Sequence, residues 1–136
     1  GQITDIIPEG THHGPKVCLV DKYSSSDGDL FPYGFQKLGL GPIIGTRTWG
    51  GIVGITGSKS YVDGQDVRVP FFTSYSTEGE WIVENHGVDP DIVVDINPFE
   101  DYLGNDAQLN KAIEYLLEEL KSYKPLPGIP APRVMP

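Results

Sequence analysis

Two short polar stretches hold the residues best suited to chemistry. The first is Tyr23-Ser24-Ser25-Ser26-Asp27-Gly28-Asp29, which follows an apolar run and precedes a segment with a helical apolar pattern. A serine at a strand-to-helix junction can lift its hydroxyl clear of the sheet edge. The free N–H groups of the helix start, and the positive end of its dipole, can then hold an oxyanion. That is the chemistry of acyl transfer to a serine. The same residues also suit an ordinary polar turn in which a serine or aspartate is the N-cap. They do not form the Gly-x-Ser-x-Gly elbow. The second stretch is Trp81-Ile82-Val83-Glu84-Asn85-His86-Gly87. Glu84 closes an apolar strand there and can orient a histidine or a serine relay, or simply keep a turn solvated. His86 has the right type for a general base, but no spacing brings it to Ser26.

Other groupings are poorer. His12 and His13 are adjacent, so an extended chain cannot turn both to one metal, and no third ligand is spaced to help them. Asp91, Asp95, Glu100 and Asp101 read as a solvated acidic face without the spacing of a calcium loop. Gly39 to Gly45 lacks the Lys-Ser/Thr of a phosphate loop. The single cysteine, Cys18, cannot form an internal disulfide, and within Val17-Cys18-Leu19-Val20 it reads as a small buried hydrophobe. The formal net charge of -9 repels phosphate backbones and argues against nucleic acid, though not against peptides. No apolar run reaches the roughly 18 residues of a membrane span, and no targeting segment is visible.

The elements that must position these groups are short. Residues 16–21 form an apolar, β-rich run that suits a strand buried on both faces of a parallel sheet. Leu30 to Leu38 has the apolar spacing of a helix, with Pro32 acceptable only in its first turn and Gly39 to Gly41 as its stop. Ile3, Ile6 and Ile7 suit a short lead-in strand or loop, and residues 42–45 a second strand. Residues 60–72 read as a hairpin turning at Asp63-Gly64, and Phe71 to Tyr75 pairs with Glu80 to Glu84. The run from Val88 to Val94 is broken by Pro90 and continues as Ile92-Val-Val-Asp95. The clearest helix covers 106–121, with Asn105 as N-cap and an apolar face of Leu109, Ala112, Ile113, Leu116, Leu117 and Leu120. The mixture of short strands and helices makes the class α/β or α+β.

Taken together, the segments from Lys16 to Leu120 resemble the catalytic C-terminal domain of tricorn-type serine peptidases, within the wider group of tail-specific, carboxyl-terminal processing proteases. The resemblance is carried by Ser24-Ser-Ser-Asp-Gly-Asp-Leu-Phe-Pro-Tyr33, by Leu38-Gly-Leu-Gly-Pro-Ile-Ile-Gly-Thr-Arg-Thr-Trp-Gly-Gly51, and by Val83-Glu-Asn-His-Gly-Val-Asp-Pro-Asp-Ile92. It implies that Ser26 is the nucleophile and that the N–H of Asp27 is an oxyanion donor. Glu84 would be the glutamate of a Ser-His-Ser-Glu tetrad, holding a second serine that orients the histidine base. In the tail-specific branch a lysine base follows the glycine-rich turn. Here Gly51 holds that place and no lysine comes before Lys59, so the chain is similar to the tricorn branch.

The family's histidine, second serine and second oxyanion donor lie upstream of the nucleophile strand. His12 and His13 stand too close to Ser26 to match that histidine. The chain is therefore expected to be a fragment of a longer enzyme, inactive alone, with residues 1–123 the C-terminal part of the catalytic domain and 124–136 a proline-rich extended tail. The implied fold is α/β: a partial crotonase or Clp-protease-like domain with a mixed sheet and flanking helices. The resemblance further implies peptide or unfolded-protein substrates, no metal or organic cofactor, and a homo-oligomer at full length. A non-catalytic peptide-binding or scaffolding module of the same fold, and an acyl-CoA enzyme of the crotonase type, are the rival readings. One cysteine fits cytoplasm and periplasm alike.

Overall fold

The computed structural model describes residues 11–55, 60–128 and 130–131. The lead-in at Ile3, Ile6 and Ile7, Lys59 and the last residues of the proline-rich tail lie outside them. The apolar run that opens the described chain forms β1 (Cys18–Val20), followed by α1 (Asp27–Lys37) and β2 (Ile43–Gly45). A long excursion then leads to β3 (Ile92–Val93), α2 (Pro98–Tyr102) and α3 (Ala107–Ser122).

The sheet has the order β1-β2-β3, with both pairings parallel. Cys18 faces Ile43 and Val20 faces Gly45, while Ile44 faces Ile92 and Gly45 faces Val93. The sheet expected as mixed is thus parallel across its described strands. The reason is the crossover: α1 returns the chain to the starting edge, so β2 must run the same way as β1. Among the described residues, antiparallel pairing occurs as isolated bridges within the excursion, at Gly54 with Phe72, Ser60 with Asp66 and Tyr75 with Trp81. The expected hairpin keeps its Asp63-Gly64 turn, where the Tyr61 N–H donates to the Gln65 carbonyl at 2.7 Å, but it extends into no ladder.

Burial follows strand order. Central β2 contributes Ile43 and Ile44, both 0% exposed, as its position between two strands and under two helices requires. β1 lies at the edge, so Cys18 and Val20 face inward while Leu19 is 41% exposed. Only β2 is therefore buried on both faces, not the run expected to be. Cys18, Val20, Phe35, Ile43 and Val88 form the core, with Tyr33 and Val83 packed against it. Burial also pushes the Cys18 thiol above its usual pKa, in keeping with an unreactive small hydrophobe.

α1 starts three residues earlier than its apolar pattern indicates and takes Pro32 into its interior, with the ring fully buried. Its end is a Schellman stop. Gly39, at φ +61°, donates to the Gln36 carbonyl at 3.0 Å, and the Leu40 N–H reaches Phe35 at 3.1 Å. The N-cap of α3 is Asp106, not Asn105. The Asp106 carboxylate accepts from the Leu109 N–H at 2.9 Å, while the Asn105 amide reaches back to Glu100. α3 buries Gln108 and Ala112, and leaves Leu109, Ile113, Leu117 and Leu120 about half exposed. α2 was not expected at all. Its signal is Asn97-Pro98: the Asn97 side chain caps Phe99 and Glu100, and proline fills the first helical position.

Candidate active site

The nucleophile candidate is set by a loop that folds on its own aspartate. Asp21 follows β1, and its Oδ1 accepts from the N–H of Tyr23 at 2.9 Å, from the N–H of Ser24 at 3.0 Å and from the Ser24 hydroxyl at 3.2 Å. Two residues past this turn, Ser26 is the N-cap of α1, and the residue is exposed. The Ser26 backbone sits at φ +55° and ψ -110°, a region sparsely populated for an L-residue and costing about 1–3 kcal/mol. Immediately after it, the N–H groups of Asp29 and Leu30 bond the Ser26 carbonyl at 2.9 and 3.0 Å. Among the described residues the Asp27 N–H finds no acceptor. An unpartnered N–H at a helix start, next to an exposed hydroxyl on a strained turn, is the local arrangement that a serine nucleophile with its oxyanion donor needs.

Among the described residues, positive-φ strain at non-glycine positions falls in the two candidate segments. Among the described residues, Ser26, Val83 and Asn85 are the non-glycine residues with positive φ. The last two stand at +63° and +61° on either side of Glu84. For a β-branched valine that conformation is a pronounced outlier. It is held because the N–H groups of both His86 and Gly87 bond the Val83 carbonyl, and the Asn85 N–H bonds the Gly50 carbonyl at 2.8 Å.

A strap between β2 and the hairpins joins these two segments. Six consecutive N–H groups of the strap, from Thr48 to Val53, all find acceptors elsewhere in the fold. Thr48 donates to Val88 and Trp49 to Ser24. Gly50 donates to Asp29 Oδ1 at 2.8 Å and Gly51 to Asp29 Oδ2 at 3.1 Å. Ile52 and Val53 both donate to Glu84 Oε2, at 2.7 and 3.1 Å. Glu84 is thus half-buried with one oxygen committed to backbone, and among the described residues Oε1 has no hydrogen-bond partner.

The histidines are placed elsewhere. His86 pairs through Nε2 with Asp89 at 2.7 Å, and Arg47 holds the other Asp89 oxygen at 2.6 Å. These two hydrogen bonds, that from His86 first, keep the Asp89 carboxyl below its usual pKa. His12 bonds the Pro15 carbonyl and His13 the Thr11 hydroxyl. The expected acidic face is only partly free: Asp91 accepts from the Ile43 N–H at 2.8 Å and thereby ties β3 to the start of β2.

One residue went unassigned in the sequence. Asp29 is 0% exposed, and its carboxylate takes three backbone N–H groups, those of Ser26, Gly50 and Gly51. Its only sequence signal is its place three residues after the N-cap, where a capping-box acceptor stands.

Comparison with known proteins agrees with this architecture. The chain is 41% identical over 116 residues to the tricorn protease of Thermoplasma acidophilum, covering 85% of this chain and 11% of that protein. It is 44% identical over 117 residues to the tricorn protease homolog of Saccharolobus solfataricus, covering 84% of this chain and 11% of that one. The crystal structure of the tricorn protease superposes with a TM-score of 0.72 at 44% identity, over 77% of this chain and 10% of the other. The chain therefore spans only about a tenth of the length of these relatives. The model of peptidase family S41 matches residues 4–94, and the chain belongs to that family.

Proposed function

We propose that this chain supplies the nucleophile-bearing part of a serine peptidase whose histidine base and relay serine come from elsewhere in a longer polypeptide. Residues 1–123 would form the later part of a crotonase-like catalytic domain. The observation that carries the reading is Ser26: exposed, strained at φ +55°, and followed by the unpartnered N–H of Asp27 at the start of α1. The base takes the Ser26 hydroxyl proton as Oγ bonds the peptide carbonyl carbon. The carbonyl oxygen becomes the oxyanion held by the Asp27 N–H and by a donor from outside this chain. The C–N bond breaks as the amine takes the proton, and water then releases the acyl group. Glu84, with Oε2 spent on the strap, offers Oε1 to the relay serine. Substrates are peptides or unstructured chain ends, and a homo-oligomer is the expected full-length form.

Each described histidine is bonded to a neighbour other than Ser26, which supports an external base and an inactive isolated chain. The same observation keeps the second reading in play, a peptide-binding module that retains the fold without a base. The two part on treating the full-length protein and this chain with a fluorophosphonate and mapping the adduct by mass spectrometry. A label on Ser26 at full length, absent from the isolated chain and from S26A, is expected. An active full-length enzyme without a Ser26 adduct refutes the assignment, and an inert full-length protein that still binds peptide leaves the module.

A further inference from the structure

We infer that Asp29 is the positioning residue of the nucleophile, fixing the Ser26 backbone and tying it to the strap that Glu84 also holds; this rests on the reading of Ser26 above. Ser26 needs an external restraint, because the conformation at φ +55° and ψ -110° is costly for any residue with a Cβ. Asp29 Oδ2 provides it by accepting the Ser26 N–H at 2.9 Å. A capping acceptor at this position is usually a long side chain at the surface. Here it is a short one, fully buried, and its remaining capacity is filled by the N–H groups of Gly50 and Gly51. A surface cap stabilises a helix end and little else. A buried carboxylate that receives N–H groups from two separate segments fixes their relative position.

The connection continues past Asp29. The next two N–H groups of the strap belong to Glu84, and the Gly50 carbonyl receives the Asn85 N–H. Ser26 and Glu84 are thereby joined by backbone that bends little, since every N–H along it is engaged. Asparagine cannot replace Asp29. It has one acceptor oxygen for three donors, and its amide would point N–H at N–H. D29N therefore frees the Ser26 backbone to relax out of its strained conformation while removing no group that the proposed mechanism places on the substrate.

The test is D29N in the full-length enzyme, with kcat, KM and the rate of Ser26 phosphonylation measured beside the melting temperature. A folded D29N is expected to lose about 10²-fold in kcat, and a similar factor in phosphonylation, with KM changed less than about threefold. A residue that only supports the fold would lower the melting temperature without that split. Residue-resolved hydrogen exchange on the wild-type enzyme decides the case where D29N fails to fold. The Ser26 N–H should be strongly protected and the neighbouring Asp27 N–H not. Equal exchange at the two overturns the inference, as does a folded D29N that labels at the wild-type rate. A wild-type enzyme that never labels at Ser26 removes instead the nucleophile assignment on which it rests.

Discussion

Asp29 and Glu84 divide four consecutive backbone N–H groups between them, Asp29 taking those of Gly50 and Gly51 and Glu84 those of Ile52 and Val53. Neither carboxylate lies on the segment it binds. A strap with two adjacent glycines has no helix or ladder to satisfy its own donors, so burying it requires acceptors brought from elsewhere. The fold brings them from the helix that follows Ser26 and from the loop that carries Glu84. The strap is thus held by the same residues that frame the site.

Glu84 should therefore separate stability from activity. Oε2 alone receives both N–H groups, so a glutamine can keep both bonds with its carbonyl oxygen. E84Q should cost about 1 kcal/mol of stability, the difference between charged and neutral acceptors, whereas E84A should cost about 1–3 kcal/mol for each orphaned N–H. On the proposed role of Glu84, both should lower kcat of the full-length enzyme by at least about 10²-fold, since neither carries the charge that the proposed tetrad requires. Urea midpoints and kcat measured on the two variants check this. Equal destabilisation, or an E84Q enzyme of normal kcat, would count against it.

Two glycines distinguish backbone freedom from backbone contact. Gly79 stands at φ +84° with nothing within 4 Å of a built Cβ, and Gly87 at φ +87° with the Thr48 carbonyl oxygen 2.3 Å from one. G79A should cost only the left-handed penalty of about 1–2 kcal/mol. G87A should add about 1–3 kcal/mol for the clash, which no rotamer can relieve because backbone stands on both sides. The two urea midpoints should differ accordingly at unchanged m. Coincident midpoints would mean that the Thr48–Val88 contact yields easily.

Asp89 gives a pH dependence of known sign. Hydrogen bonds from His86 and Arg47 hold its carboxyl below the usual value, so the folded state binds that proton less readily than the unfolded chain. The resulting stability is present above the ordinary aspartate value of about 3.9 and is lost as pH falls through the lowered one. Its partners are solvent-exposed, with 55% of the Asp89 side chain open, so water and salt hold the effect to about 1 kcal/mol or less. The stability gap between wild type and D89N should therefore be largest near neutral pH and close in acid. A gap that does not change with pH would sink this account.

Much of the frame was legible in the sequence because local rules determine it. The apolar run that becomes β1, the glycine stop after α1, the Asp63-Gly64 turn, the apolar run after Pro90 whose first two residues become β3, and the long helix all rest on neighbours within a few residues. Three features were not legible. α1 begins at Asp27 because Asp29 holds Ser26 in a strained N-cap, and the Gly50 and Gly51 N–H groups that fix the Asp29 carboxylate come from a distant segment no local pattern reveals. Asp29 reads as a surface charge in any composition count, and its complete burial depends on the arrival of the strap. The orientation of α3 is not legible for a similar reason. Its leucines mark an apolar face, but the face that meets the sheet is the one whose Gln108 amide can donate to the Val94 carbonyl at 3.0 Å.

That orientation predicts how the isolated chain behaves in solution. Leu109, Ile113, Leu117 and Leu120 form a stripe on α3 that is 47–59% exposed. Phe71, Phe72 and Trp81 on the excursion are also open, at 64%, 52% and 77%. Contiguous apolar surface of this kind is uncommon on a stable monomer and drives association. The net charge of -9 opposes association at low ionic strength but is screened in salt. The chain should therefore self-associate more strongly as salt rises, and the double substitution of Ile113→Lys and Leu117→Lys should return it towards monomer with its circular dichroism intact. Light scattering across a concentration and salt series measures both effects. A clean monomer at high concentration would mean that the stripe is too narrow to matter, and that the isolated chain covers its own core well enough without a partner.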